Sequence, residues 1–222
     1  MMLNIFSIFD PSTSMMISLN WSSLLIIMPL IPLQYWLIPS RLTMSWIISM
    51  NYIFNEFKIL INYTFSNLII FISLLIMIFF NNFMGLFPYI FTISSHMSFC
   101  LSLSLSLWIG MMIYSLINYF NDLMTHLTPQ GTPTLLMPFM VIIESISLII
   151  RPITLSIRLT ANMIAGHLLL SLLGSAGQSL NNFILLNIML FSQILLFTLE
   201  ISVAMIQAYV FSILTTLYSS DT

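Results

Sequence analysis

Charged side chains are scarce in this sequence. They make up 5% of its 222 residues, whereas a soluble protein has about 25%. Hydrophobic residues make up 59%, and the mean hydropathy is +1.08. These values exclude a soluble globular protein and predict an integral membrane protein. No break in composition marks a soluble domain, so we expect a single membrane domain over residues 1–222.

Metal and cofactor chemistry also lacks its usual residues. The single cysteine, Cys100, excludes an intrachain disulfide and a cluster of Cys and His metal ligands. Three histidines on separate segments do not supply the paired axial ligands of a haem cytochrome. A Gly-rich phosphate loop is missing as well. We therefore expect no metal, cofactor or nucleotide site in this chain, and no nucleic-acid partner.

The first 14 residues contain neither a basic region nor an Arg-rich amphipathic pattern. They resemble neither a cleaved secretory signal nor a mitochondrial import peptide. We expect that the chain either inserts through its first span or is made inside the organelle in which it works.

Long apolar runs predict an all-α membrane fold. Residues 22–38, bracketed by Trp21 and Trp36, predict a first span despite Pro29 and Pro32. A mixed polar and apolar pattern at 41–63 predicts an amphipathic helix lying in the membrane interface. Four further segments complete the prediction, namely a helical hairpin with spans at 67–87 and 97–120, and two long inclined helices at 135–173 and 182–219.

The predicted span at 97–120 contains alternating Leu and Ser at 101–107, a pattern that is also typical of a strand. The length of the apolar run favours a helix, because an open strand in lipid would leave backbone groups unpaired. The serines are expected to bond to carbonyls one turn earlier or to face neighbouring helices. Residues 121–134 predict a polar, turn-rich loop.

The two last segments are nearly twice as long as the hydrocarbon core is thick, at roughly 1.5 Å of rise per residue. Each segment therefore either holds two spans or is one steeply tilted helix. Because no Pro or Gly occurs from Leu180 onward, we predict one helix at 182–219. Pro152 is expected to kink the other helix without ending it. Residues 174–178 are the predicted hinge between two antiparallel helices.

The few basic residues predict the orientation. Arg41 and Lys58 are the only basic residues outside the long hairpin, and both follow the first span. The positive-inside rule therefore places the N-terminus outside and the C-terminus inside.

Arg158 is a permanent cation in the middle of an apolar run, where insertion costs roughly 2.5–3.5 kcal/mol. An arginine at this depth either faces a polar pathway or a partner charge, or snorkels and pairs structurally. Glu144, Arg151 and Arg158 are spaced by seven and share one helical stripe, whereas His167 points to roughly the opposite face. On the return helix, Glu200 and Gln207 share a face, with Asp221 on about the same side.

These residues form two groups at different depths. We expect His167 with Glu200 to relay protons to the outer side, and Glu144 with Asp221 to relay them to the inner side. Arg158 lies between them and cannot be deprotonated, so it would act as a fixed barrier. Small residues on both helices favour close helix approach, either to a partner or in ordinary bundle packing; they are Ala161, Ala165, Gly166, Ala204 and Ala208.

Four motifs resemble subunit a of the mitochondrial F-type ATP synthase, in its animal form. They are IRPITLSIRLTANMIAGH at 150–167, LEISVAMIQAYVF at 199–211, NNFMGLFPY at 81–89 and TPQGTP at 128–133. The resemblance covers nearly the whole chain. Its fold would be an N-terminal span, an interfacial helix, a hairpin, and two inclined helices that embrace a ring of c subunits.

The resemblance also implies roles for single residues. Arg158 would be the stator arginine, with Asn162 one turn further on and Gln207 as a polar neighbour. His167 and Glu200 would line the half-channel to the intermembrane space. Glu144 would be the acidic residue of the matrix half-channel, where Asp221 matches only loosely. Other members can carry an uncharged residue in place of Arg151, so the resemblance assigns no essential role to it. Bacterial members carry a carboxylate in place of His167 and a histidine in place of Glu200, so this chain has the mitochondrial arrangement.

The implied function is that of a non-catalytic, proton-conducting stator subunit that couples proton flow to rotation and ATP synthesis. Its implied partners are the c-subunit ring, other membrane-sector subunits and peripheral-stalk subunits. The implied location is the mitochondrial inner membrane, with the N-terminus in the intermembrane space and the C-terminus in the matrix. The alternatives are a secondary ion transporter with a midplane charge, which would normally show an internal repeat, and a scaffold subunit, which would leave the titratable groups unexplained.

Overall fold

The computed structural model describes residues 5–13, 17–60, 65–128, 133, 136–177 and 182–221, and every regular element in these ranges is a helix. Short 3-10 helices occupy Ile5–Phe9, Leu19–Ile26 and Ile93–Ser95. The α-helices are α1 Ile27–Leu30, α2 Arg41–Leu60, α3 Phe65–Gly85, α4 Met97–Asn118, α5 Phe120–Leu127, α6 Met137–Gly177 and α7 Phe183–Asp221. The predicted all-α class is confirmed.

Four helices are long and apolar enough to cross a membrane. They correspond to the predicted spans at 67–87 and 97–120 and to the two predicted inclined helices. In the described part of α4, Ser102, Ser104 and Ser106 donate hydrogen bonds to carbonyls three residues earlier. The polar half of the Leu–Ser alternation is thus satisfied within a helix, as expected.

The first span, predicted at 22–38, is helical over only part of its length. It starts as the 3-10 helix at Leu19 and ends with α1 at Leu30, which gives about 20 Å of length. The cause is Pro32, which lacks an N–H and forces the preceding residue out of the helical region. Ile31 is extended, with φ −78° and ψ 118°. Residues 31–40 are not helical, so helix covers only the first part of the predicted segment, and its crossing of the membrane stays a prediction.

A second correction concerns the segment predicted as a loop at 121–134. Helix α4 ends at Asn118, and Tyr119, with φ −133° and ψ 48°, separates it from α5. Asp122 in the first turn of α5 and His126 in its last turn complement the helix dipole, which favours helix over loop. Residues 129–132, 134 and 135 lie outside the described residues.

The two long helices are uninterrupted. Helix α7 is a single helix of 39 residues, as predicted. Helix α6 has 41 residues and continues through Pro152 and also through Gly174 to Gly177. The predicted hinge at 174–178 is therefore wrong for its first four residues, and residues 178–181 lie outside the described ranges. Glycine tolerates helical conformation in lipid, where no water competes for the backbone groups.

Helices α6 and α7 run antiparallel in a register fixed by three contacts. A Cβ built at Gly177 would meet Met189, one at Gly174 would lie 3.8 Å from Gln193, and one at Gly166 would meet Glu200. Helix α3 packs on α7, and α4 packs on α6. One buried cluster lies between these four helices. Its members are Ile78, Cys100, Leu155, Leu159, Ala208 and Phe211.

Candidate functional site

A cavity of about 260 Å³ lies between α6 and α7. It brings together three of the predicted site residues, Asn162, His167 and Glu200. Leu86, one residue beyond α3, also lines it. The other lining residues are apolar, and they are Met163, Ala165, Gly166, Leu169, Leu196, Leu199 and Val203. The cavity is large enough for several water molecules. It therefore places three polar side chains around one space in an otherwise apolar helix pair.

Both ionisable groups of this cavity are sequestered. Glu200 is 8% exposed, and neither of its carboxyl oxygens has a hydrogen-bond partner among the described residues. The buried Nε2 of His167 likewise lacks a partner in the described part of the chain. Buried polar atoms of this kind normally bond to protein or to water. A carboxyl group and an imidazole that share a cavity can take up and pass on protons.

Gly166 makes room for Glu200. A Cβ built at Gly166 would lie 2.8 Å from Cδ of Glu200 and 3.2 Å from its Cγ. Any larger residue would push the carboxyl group away, so the absence of a side chain at 166 sets the position of Glu200. Sequence reasoning identified Gly166 only as a small residue for helix approach, because the contact joins positions 34 apart on two helices.

Arg158 lies on a different face of α6 and does not line this cavity. Its exposed stripe also contains Thr154, Ile157, Ala161 and Ala165. The opposite face of α6 is buried in the chain; its members are Pro152, Leu155, Ser156, Leu159, Thr160 and Met163. Arg158 forms no ion pair with another residue that the structure describes. The guanidinium is therefore presented outward, toward whatever covers this stripe.

Gln207 lies at the same level as Arg158. In the central cluster, Leu155 and Leu159 of α6 pack with Ala208 of α7, so the register places Gln207 beside this turn of α6. Gln207 is partly buried and is not part of the cavity lining. The structure thus separates Gln207 from Glu200, although both are on α7.

Glu144 forms the second group, at the other end of α6. Its Oε1 lies 3.9 Å from Nη2 of Arg151. The guanidinium of Arg151 also stacks over the ring of Tyr218 on α7, with its central carbon 4.9 Å from the ring centroid. Asp221 ends α7, but its side chain lies outside the described residues, so its predicted pairing with Glu144 stays a prediction.

The small residues divide into two sets. Ala204 and Ala208 are each 1% exposed, and Ala208 packs against α3 and α6 of the same chain. They therefore serve packing within the bundle, the second of the two roles that their spacing allowed, and do not form a surface for a further helix. Ala161 and Ala165 are exposed beside Arg158.

Two polar features of the structure were not predicted from the sequence. Asn82 is fully buried, and both of its amide atoms lack partners among the described residues. It lines a small cavity of about 10 Å³ with Asn81, Ser94 and Cys100. Tyr209 of α7 donates a hydrogen bond of 3.2 Å to Oε2 of Glu56 on α2. The two adjacent asparagines at the end of an apolar span could have indicated the buried Asn82. Nothing in the sequence indicated the hydrogen bond between Tyr209 and Glu56.

These observations define a class, a multi-span helical membrane protein that carries ionisable groups at separate levels of one antiparallel helix pair. Residues 13–220 match the family described as ATP synthase A chain. The chain is 55% identical to ATP synthase subunit a of Drosophila melanogaster and 54% identical to that of Locusta migratoria. It is 52% identical to that of Anopheles gambiae. Each match covers 100% of this chain and 99% of the relative.

This chain belongs to the ATP synthase subunit a family, whose members are the proton-translocating component of the membrane sector. It is accordingly a subunit of a larger assembly and a multi-pass protein of the mitochondrial inner membrane.

Proposed function

We propose that this chain provides two offset half-channels that meet at Arg158 and couple proton flow to the rotation of a ring of c subunits. One observation carries the proposal. The cavity with His167 and Glu200 and the charge pair of Glu144 and Arg151 lie at opposite ends of α6, and the exposed Arg158 lies between them. By helical rise, Arg158 is roughly 21 Å from Glu144 and about 13 Å from His167.

Proton uptake uses the cavity. A proton from the intermembrane space reaches His167 and Glu200 through water and passes to a carboxylate on a c subunit. The buried position of Glu200 keeps bulk water away from the transfer, and Gly166 allows its carboxyl group to stay in the cavity wall. Asn162 lines the same cavity one turn beyond Arg158, where its amide can bond to water or to the incoming carboxyl group.

Arg158 separates the two routes. A guanidinium stays protonated under all physiological conditions, so a proton cannot hop through it. The positive charge of Arg158 stabilises the deprotonated form of the rotor carboxyl group. The rotor group is therefore expected to lose its proton before it passes Arg158. An exposed arginine in lipid would be expensive, which supports a protein partner on this stripe. Gln207, at the same level, can hydrogen-bond to either group.

Proton release uses the inner end of the helix pair. After a nearly full turn of the ring, the rotor carboxyl group meets the second route and loses its proton past Glu144 toward the matrix. Asp221 at the end of α7 is the predicted second carboxylate of this route. The N-terminus would lie in the intermembrane space and the C-terminus in the matrix, which follows from Arg41 and Lys58.

The exposed stripe of α6 is the surface proposed for the c-ring. Ala161 and Ala165 leave the helix backbone accessible beside Arg158, so a moving helix can come close. The remaining exposed apolar residues are covered by lipid and by other membrane-sector and peripheral-stalk subunits. The steep inclination of α6 and α7 follows from their length of roughly 60 Å, which exceeds the hydrocarbon core twofold.

The decisive experiment replaces Arg158 in the assembled ATP synthase reconstituted into vesicles. Arg158→Ala should abolish ATP synthesis driven by a proton gradient, while the complex still assembles and retains its c subunits. Arg41→Ala is the matched control, because it removes an exposed arginine at the start of α2. ATP synthesis at near wild-type rate in the Arg158→Ala complex would sink the proposal.

A further inference from the structure

Arg151 connects two helices and two different chemical groups. On α6 its guanidinium lies 3.9 Å from the carboxylate of Glu144, and across the interface it stacks over Tyr218 of α7. Glu144 precedes Arg151 by seven residues, or roughly 10 Å along the helix axis. Side chains two turns apart do not meet by default, since helix neighbours are three or four residues apart. Both side chains must therefore extend toward each other for this contact to form.

The chemistry of arginine suits both contacts at once. A guanidinium is planar, so its edge can bond to a carboxylate while its face lies on an aromatic ring. Lysine would keep the charge but lose the flat stacking surface. The two side chains of the ion pair are 29% and 38% exposed, so the pair lies at an accessible edge of the helix pair. Arg158, on the next heptad, is exposed on the outward stripe and forms no such described pair.

We propose that Arg151 is a positioning residue that holds the Glu144 carboxylate in the release route and fastens the inner end of α6 to Tyr218 of α7. This inference rests on the proposed role of Glu144 in proton release. It assigns the two arginines different tasks. Arg158 faces the rotor, whereas Arg151 acts on the proton path only through the Glu144 carboxylate, and its contact with Tyr218 keeps the guanidinium in place beside that carboxylate.

The test uses the assembled complex in vesicles, with ATP-driven proton pumping measured per assembled complex. Arg151→Gln should lower the pumping rate roughly fivefold, a size typical of side chains coupled by direct contact. Arg151→Lys should recover part of this loss, because it restores the charge beside Glu144. Tyr218→Phe keeps the ring that the guanidinium covers, whereas Tyr218→Leu removes it, so the phenylalanine variant should pump faster than the leucine variant. Arg41→Gln controls for the loss of one positive charge.

Double variants separate positioning from a merely structural role. If Arg151 acts through Glu144, Arg151→Gln should add nothing to the defect of Glu144→Gln. Multiplying defects would overturn the inference, as would a wild-type rate in Arg151→Gln or equal losses in Tyr218→Phe and Tyr218→Leu. If Arg151→Gln fails to assemble, the two tyrosine variants decide, because both retain the arginine.

Glu144→Gln distinguishes this inference from the proposed function. Normal pumping in Glu144→Gln would overturn the release role of Glu144 itself, and with it both proposals. Impaired pumping in Glu144→Gln together with normal pumping in Arg151→Gln would overturn only the role of Arg151.

Discussion

The carboxyl group of Glu200 packs against the bare backbone of Gly166, one residue before His167. This contact joins α6 and α7 at the cavity and leaves no room for a side chain at position 166. It connects the local sequence of one helix to the position of an ionisable group on the other. The position of the Glu200 carboxyl group in the cavity therefore depends on a glycine of the facing helix.

Gly166→Ala should displace Glu200 and slow proton uptake. The added methyl group would overlap the carboxyl end of Glu200, which would have to rotate out of its present position. We expect ATP synthesis per assembled complex to fall several-fold. Gly110→Ala in α4 is the matched control, because a Cβ there meets no atom within 4 Å. Equal activity of the two alanine variants would contradict the role of Gly166.

His167→Ala and Glu200→Gln should slow proton uptake more than release. Both groups line the cavity and neither contacts the Glu144 pair. Because acid–base groups contribute about 10²–10⁴ to proton-transfer rates, we expect at least a tenfold loss of ATP synthesis. The measurement compares synthesis with ATP-driven pumping at several pH values on each side of the vesicle. Equal losses in both directions at every pH would argue against separate access routes.

Ala161→Leu should interfere with the rotor without disturbing the fold of the chain. Ala161 is exposed one turn from Arg158, so a larger side chain would project from the stripe proposed for the c-ring. We expect fewer c subunits to copurify, or a slower enzyme where they are retained. Thr198→Leu on α7 introduces a leucine at an exposed position away from this stripe and serves as the control. Normal copurification and turnover of the Ala161→Leu complex would contradict this surface assignment.

Tyr209→Phe should weaken the attachment of α2 to α7 and leave proton transport unchanged. It removes the hydrogen bond from the Tyr209 hydroxyl to Glu56, and a bond of this kind contributes about 0.5–1.5 kcal/mol. Glu56 also raises the pKa of Tyr52, chiefly by accepting its hydrogen bond and secondly by its charge. Thermal unfolding of the purified complex checks the stability change. A large loss of pumping in Tyr209→Phe would instead place this tyrosine in the proton path.

The helices were predictable because lipid leaves the backbone few alternatives. An apolar run must satisfy its own N–H and C=O groups, so α3, α4, α6 and α7 follow from hydropathy alone. The points at which individual helices end were harder to predict. Pro32 ends the first helix early, and Gly174 fails to end α6, although both are helix breakers by propensity. Proline acts through its own covalent structure, whereas a glycine can stay helical where lipid excludes water from its backbone groups.

Helical periodicity also separated Arg158 from the cavity of His167, because residues nine apart face different sides. Helical periodicity does not predict contacts between two helices. The packing of Gly166 on Glu200 and of Arg151 on Tyr218 depends on the register of α6 and α7. That register is fixed by the fit of many side chains along two long helices, and no pattern within either helix encodes it.

The unbroken course of α6 also constrains how this chain can change in evolution. Glu144, Arg158 and His167 are on one continuous helix. Deleting or inserting one residue between any two of them would rotate one relative to the other by about 100° and separate them from their surroundings. Such length changes should be eliminated by selection, whereas residues 31–40, which are not helical, can gain or lose residues without turning any of these groups. The spacing of these three side chains is thus inherited as a single unit.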